Sequence, residues 1–120
     1  MESPRNVRFL FKDVKIDDQT KDYILKRLEQ LDKILDKAML EEVEIDMDKI
    51  GKFRVEVMIE TPYSLFRAEE TSESIEGSID MVIDSLRIQI TKEKDRRKTL
   101  LKRGAQSIKK KLVVDESARF

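Results

Sequence analysis

The sequence contains no cysteine, no histidine and no tryptophan. Without thiol or imidazole there is no disulfide framework, thiolate nucleophile, imidazole base or Cys/His zinc site, and most of the common catalytic repertoire is excluded. Three glycines and two prolines supply no flexible linker, and no internal repeat is present, so nothing separates a second domain. Long apolar runs are also missing. No stretch approaches the ~18 residues of a spanning helix, and Met1-Glu-Ser-Pro-Arg-Asn6 has no apolar signal core. The expectation is a cytoplasmic protein with no membrane partner. An excess of one charge is absent as well, because 25 Lys+Arg balance 25 Asp+Glu.

What is present fits one small domain: 120 residues, 39% hydrophobic and 42% charged, enough for a modest core. Val7, Phe9 and Phe11 alternate with Arg8, Leu10 and Lys12, the period of a first strand. Asp17, Asp18 and Thr20 supply capping oxygens and negative charge for a helix start. Ile24, Leu28, Leu31, Leu35 and Ala38 follow at alternating steps of four and three, predicting an amphipathic helix of about five turns. Val43, Ile45 and Met47 alternate with acids. After a Lys49-Ile50-Gly51 turn, Phe53, Val55, Val57 and Ile59 do the same, which reads as a hairpin. Thr61-Pro62-Tyr63-Ser64 punctuates before a further strand over Leu65 to Glu70. A second helix follows, with Ser72 and Ser74 available as caps and a stripe of Ile75, Ile79, Val82, Leu86 and Ile90, running towards Arg97.

The order β-α-β-β-β-α predicts an α+β fold, one four-stranded sheet with two helices packed on one face. Glu42, Glu44, Asp46 and Asp48 should make the open face acidic. After Lys98 the apolar period decays, so residues 1–98 are read as the folded domain and 99–120 as a basic, flexible tail. Met81 and Ile88 lie off the buried stripe and need a partner. The flank of the first helix, edged by Tyr23, Arg27 and Ile34, is the simplest one.

Several constellations resemble chemistry and fail on inspection. Asp46-Met-Asp48-Lys-Ile50-Gly51 matches the opening of a calcium loop, but Ile50 and Val57 occupy ligand positions, which leaves a tight turn. The pairs Glu41/Glu42 and Glu69/Glu70 are adjacent in strands and point to opposite faces, unlike acid/base partners. Ser64, Ser72, Ser74, Ser78 and Ser85 lack a Ser-x-x-Lys spacing and a glycine-rich elbow. No enzyme, cofactor or small-molecule substrate is expected.

The one strong asymmetry is in charge. Residues 87–111 hold eleven bases, Arg87, Lys92, Lys94, Arg96, Arg97, Lys98, Lys102, Arg103, Lys109, Lys110 and Lys111, against Glu93 and Asp95, a local +9. Cations near a helix C-terminus complement its dipole, which accounts for only the last turn. The excess beyond it fits an anionic partner, with RNA, DNA and anionic lipid open at this point. Leu100, Leu101, Ile108 and Leu112 make too weak an apolar face, interrupted at Gly104, for membrane docking.

Three runs carry a resemblance. Thr20-Lys-Asp-Tyr-Ile-Leu-Lys-Arg-Leu-Glu-Gln-Leu-Asp-Lys-Ile-Leu35, Phe66-Arg-Ala-Glu-Glu-Thr-Ser72 and Ile79-Asp-Met-Val-Ile-Asp-Ser-Leu-Arg-Ile-Gln-Ile-Thr-Lys92 resemble the first helix, the last strand and the second helix of the ribosome hibernation promoting factors, also called ribosome-associated inhibitors or sigma-54 modulation proteins. From Val7 to about Arg97 the element order is also similar. The resemblance implies a fold like the double-stranded-RNA-binding domain with an added leading strand. It further implies a non-enzymatic translation inhibitor that lodges in the mRNA/tRNA channel of the small ribosomal subunit, its basic helix surfaces against rRNA, under stress or slow growth. On this reading the rRNA contacts are Lys21, Lys26, Arg27, Lys33, Arg87, Lys92, Lys94, Arg96, Arg97 and Lys98, with Lys102, Arg103 and Lys109 to Lys111 as an electrostatic clamp.

The sequence departs from the family pattern at several positions. Ser74-Ile75-Glu76 stands where Asp-Met-Tyr is usual. Ser85 and Gln30 stand where lysine is common, and Ile88 where arginine is. These changes imply either weaker binding or contacts shifted towards Lys92 to Arg103. The length corresponds to the short form of the family, monomeric when free. Two rivals remain on the sequence: a ribosome-independent RNA-binding module, and a protein-interaction domain with a basic docking tail.

Overall fold

In the computed structural model the elements are β1 (Val7–Lys12), α1 (Asp18–Glu29), a 3₁₀ turn (Gln30–Lys33), β2 (Leu40–Met47), β3 (Phe53–Glu60), β4 (Leu65–Ser72) and α2 (Ile75–Arg119). The structure describes residues 7–35 and 38–119, with side chains as far as Arg103. The strands form one sheet in the order β1-β2-β3-β4. β1 runs parallel to β2 because α1 crosses between them, whereas β2, β3 and β4 are successive antiparallel neighbours joined by short turns. The α+β class and the β-α-β-β-β-α order match the expectation from periodicity.

Alternation decides which face of each strand is buried. Val43 and Ile45 of β2, Val55, Val57 and Ile59 of β3, and Phe66 and Ala68 of β4 all point to one side. There they join Ile24, Leu28 and Leu31 of the first helical segment and Ile79, Val82, Ile83, Leu86 and Ile90 of α2 in one core. Each fully buried aliphatic side chain stabilises the fold by about 1.5–3 kcal/mol relative to exposure. Phe9 and Phe11 of β1 pack against this core partly buried.

Three local devices hold the elements in place. Asp17 caps α1, its Oδ1 accepting from Thr20 N at 2.9 Å. That hydrogen bond holds the carboxyl below its ordinary pKa. In the β2–β3 turn Asp48 Oδ1 accepts from Ile50 N at 3.0 Å and Lys52 N at 2.9 Å, while Gly51 takes the left-handed φ of 86° that favours glycine. The calcium-like run is therefore a turn whose second carboxylate is committed to backbone. At the start of α2, Ser74 Oγ accepts from Gly77 N at 2.9 Å, and Ser78 Oγ donates to Phe53 O of β3 at 2.7 Å. A Cβ at Gly77 would lie 2.9 Å from the hydroxyls of Ser72 and Ser74, so a side chain there would have to displace the capping hydroxyls.

The structure differs from the periodicity in two places. The five-turn first helix is a 12-residue α-helix followed by a four-residue 3₁₀ turn, with Leu31 O accepting from both Ile34 N and Leu35 N. A three-residue step keeps Leu28 and Leu31 on one face in either geometry, so spacing does not distinguish them. At the other end, α2 continues through residues 99–119, read from composition as a tail. Its Lys, Arg, Leu, Gln and Ala residues favour helix, and no proline interrupts them. The chain divides into two compact units, Met1–Ile90 and Thr91–Phe120. The first unit ends at the last buried residue of the apolar stripe, Ile90.

Candidate functional site

The expected contacts in the first unit belong to the helices, whose polar side chains are largely occupied. Asp80 of α2 joins the two helices. Its Oδ1 accepts from the Tyr23 hydroxyl at 2.8 Å and lies 2.9 Å from Arg27 Nε. The Arg27 contact is an ion pair whose N–H points off the line of a hydrogen bond, and the cation is further engaged through Nη1 with Gln30 Oε1 at 3.0 Å. The hydrogen bond to Asp80, followed by desolvation, raises the Tyr23 pKa above its ordinary value. Arg87 pairs with Asp84 at 3.2 Å. Lys21 stands 5.7 and 5.6 Å from the ring centroids of Phe9 and Phe11, within cation–π range. Of the five cations expected there, only Lys26 and Lys33 are exposed with no ion pair among the described residues.

The other edge of α2 is fastened by Gln89. Its Nε2 donates to Arg67 O of β4 at 2.9 Å and its Oε1 accepts from Arg67 N at 3.4 Å. The amide thus occupies backbone groups of an edge strand as another strand would. Asp80 and Gln89 were legible in the sequence only as matches to a family pattern. Their distances give both a positioning role between elements.

Beyond Ile90 the charge is different in kind. Lys92, Lys98, Lys102 and Arg103 are exposed and form no ion pair among the described residues. Arg96 pairs with Glu93 at 3.0 Å, and that carboxylate raises its pKa. Lys94 and Arg97 are half-buried and engaged. Lys109, Lys110 and Lys111 lie in α2, outside the described side chains. Residues 91–120 contain eleven Lys or Arg against four Asp or Glu, a net +7, so residues 1–90 carry −7. The basic character belongs to the second unit.

The open face of the sheet is laced with ion pairs and is not simply acidic. The register sets Arg8 beside Glu42 and Arg54 beside Asp46. Arg54 reaches Asp46 at 3.1 Å, Glu56 and Glu69 at 3.3 Å and Glu44 at 3.5 Å. The hydrogen bond to Asp46 raises the Arg54 pKa most. Lys12 pairs with Glu44 at 3.1 Å, and Arg67 with Glu56 at 2.5 Å. Met81 and Ile88 are not covered by the first helix, being 43% and 59% exposed. The flank of the first helix meets α2 through Asp80, which takes Tyr23 and Arg27. Among the described residues no acidic group is arranged to hold a metal ion, and no helix is long and apolar enough to cross a membrane.

Comparison with known proteins agrees with this geometry. The chain superposes on the N-terminal domain of Protein Y from Thermus thermophilus with a TM-score of 0.66 and 27% identity, over 72% of this chain and 97% of that one. A ribosomal subunit interface protein from Coxiella burnetii shares the fold at a TM-score of 0.69 and 19% identity, over 75% of this chain and 98% of that one. A model of the sigma 54 modulation protein / S30EA ribosomal protein family matches residues 7–98, the span that includes the whole sheet, both ties of α2 and the first of its exposed cations. The chain therefore belongs to that family, the ribosome hibernation promoting factors.

Proposed function

We propose that this protein binds the small ribosomal subunit reversibly, lodges in the channel used by mRNA and tRNA, and so inhibits translation under stress or slow growth. The observation that carries this reading is the net +7 of residues 91–120, with Lys92, Lys98, Lys102 and Arg103 exposed, in a chain of a ribosome-associated family. A helix with exposed cations such as Lys92, Lys98, Lys102 and Arg103 releases counterions from RNA phosphates when it docks. Such contacts position a protein by shape and charge and need no base readout. Inhibition then follows from occupancy, with no chemical step.

Among the sequence-expected contacts, Lys26, Lys33, Lys92, Lys98, Lys102 and Arg103 are the strongest candidates, being exposed and in no ion pair among the described residues. Lys109 to Lys111 extend the clamp. Lys21, Arg27, Arg87 and Arg96 must first give up a partner within the protein, so each contributes less. Lys94 and Arg97, half-buried, rank with them.

Co-sedimentation with purified small subunits, large subunits and intact ribosomes across a salt series tests the proposal. Saturable binding to small subunits is expected, with a log–log salt slope of about −0.7 to −0.9 per phosphate contact. A variant with Arg96, Arg97, Lys98, Lys102 and Arg103 changed to Glu should lose most of it. Affinity that is flat in salt, or no binding even at low salt, would overturn the reading.

A further inference from the structure

The outward face of α2 in the first unit is unlike a surface for RNA. Met81 and Ile88 lie seven residues apart, two helical turns, and are 43% and 59% exposed, with Ser85 between them. Asp84, three residues after Met81 and four before Ile88, lies on the same side of the helix and is 66% exposed. Before Thr91 the helix carries Glu76, Asp80 and Asp84 against one cation, Arg87, and that cation is already paired with Asp84 at 3.2 Å. Arg27 of the first helix is likewise held by Asp80. A phosphate backbone laid here would meet exposed apolar surface and fixed negative charge, on a unit of net −7. Polyanion binding needs the reverse.

We propose that this face docks a basic protein segment, one that seats an apolar side chain against Met81 and Ile88 and sets Lys or Arg against Asp84. Charge complementarity selects the partner, since two exposed apolar side chains flanked by a carboxylate match a cationic strand or tail and repel a nucleic acid. The inference rests on the ribosome reading and refines it: the basic second unit and the exposed lysines of the first helix meet rRNA, while the outward face of α2 around Met81 and Ile88 meets ribosomal protein. Recognition is then of a ribonucleoprotein, with its two components read by different surfaces.

The sign of one mutational effect separates the possibilities. Met81→Lys together with Ile88→Arg adds two cations at exposed positions and keeps the aliphatic stems and the helix propensity. Against a basic protein segment the double variant should bind small subunits about tenfold more weakly at fixed salt, with an unchanged salt slope. A photo-crosslinker at Ile88 in the full chain should give a protease-sensitive adduct, and one at Lys102 a ribonuclease-sensitive adduct. Tighter binding by the double variant, or a ribonuclease-sensitive adduct at Ile88, would hand this face to RNA and overturn the proposal. Unchanged binding with no adduct at Ile88, while Lys102 still crosslinks, would overturn it and leave the ribosome reading intact. Absence of both adducts and of co-sedimentation would remove the ribosome reading and this inference with it. Concentration-dependent self-association of the free protein that the double variant abolishes would seat a second copy's basic helix here, and would also overturn it.

Discussion

Replacing Arg54 with methionine leaves an aliphatic stem on the open face of the sheet and removes the cation that Asp46, Glu44, Glu56 and Glu69 share at 3.1–3.5 Å. The arginine is 23% exposed, so its pairs are neither fully screened nor fully desolvated. The two-point bond to Asp46, Nε to Oδ1 at 3.2 Å and Nη2 to Oδ2 at 3.1 Å, falls in the range of about 1.5–3 kcal/mol for a charged hydrogen bond. The remaining pairs resemble surface contacts of about 0.2–1 kcal/mol. Allowing for solvent, Arg54→Met should cost about 2 kcal/mol at neutral pH and low salt, read as a shift in the urea midpoint by circular dichroism.

The pH dependence provides a second check on the same variant. Burial pushes the Glu56 carboxyl up, but hydrogen bonds from Arg67 and Arg54 outweigh it and hold the group below its ordinary value. A depressed carboxylate contributes stability that is present above its unfolded pKa of about 4.3 and lost as pH falls through the folded value. In the variant the acids repel one another with one cation fewer, so acidification relieves them. The deficit relative to the parent should therefore shrink between about pH 5 and pH 3, and should also fall in high salt. A neutral-pH cost below about 0.5 kcal/mol, the scale of an ordinary surface substitution, or a deficit that grows on acidification, would refute the reasoning.

Gln89→Leu removes the amide that occupies Arg67 on the β4 edge. Because water can replace one partner there, a loss of about 1 kcal/mol is expected, with faster amide exchange in β4 than in β2 by hydrogen-exchange mass spectrometry. Uniform exchange across the sheet would contradict the assigned role. Tyr23 should titrate above its ordinary pKa of about 10 in an ultraviolet pH titration, since ionising it sets a phenolate beside the Asp80 carboxylate. Asp80→Asn should bring that titration down, and an unchanged profile would remove Asp80 as the cause.

Much of the fold was legible because its determinants are local. The two-residue alternation of Val43, Ile45, Val55, Val57 and Ile59 names the buried face of two strands, and each is fully buried. The Asp17 and Ser74 caps follow from residue type alone. The candidate site was less legible. Lys26 and Arg27 are neighbours in sequence and look equivalent there, yet one is exposed with no ion pair among the described residues while the other is tied to Asp80, 53 residues away.

By itself, the sequence determined the element order, the inward face of each element and the concentration of cations after Ile90, since periodicity, caps and composition are properties of neighbouring residues. Tertiary structure alone decided the charge pairs that join separate elements. Arg54 becomes the centre of four carboxylates only through the register of β2, β3 and β4, and Arg27 loses its freedom only because α2 brings Asp80 to it. An ion pair depends on distances between segments far apart in the chain, and no count of residues along the chain contains those distances.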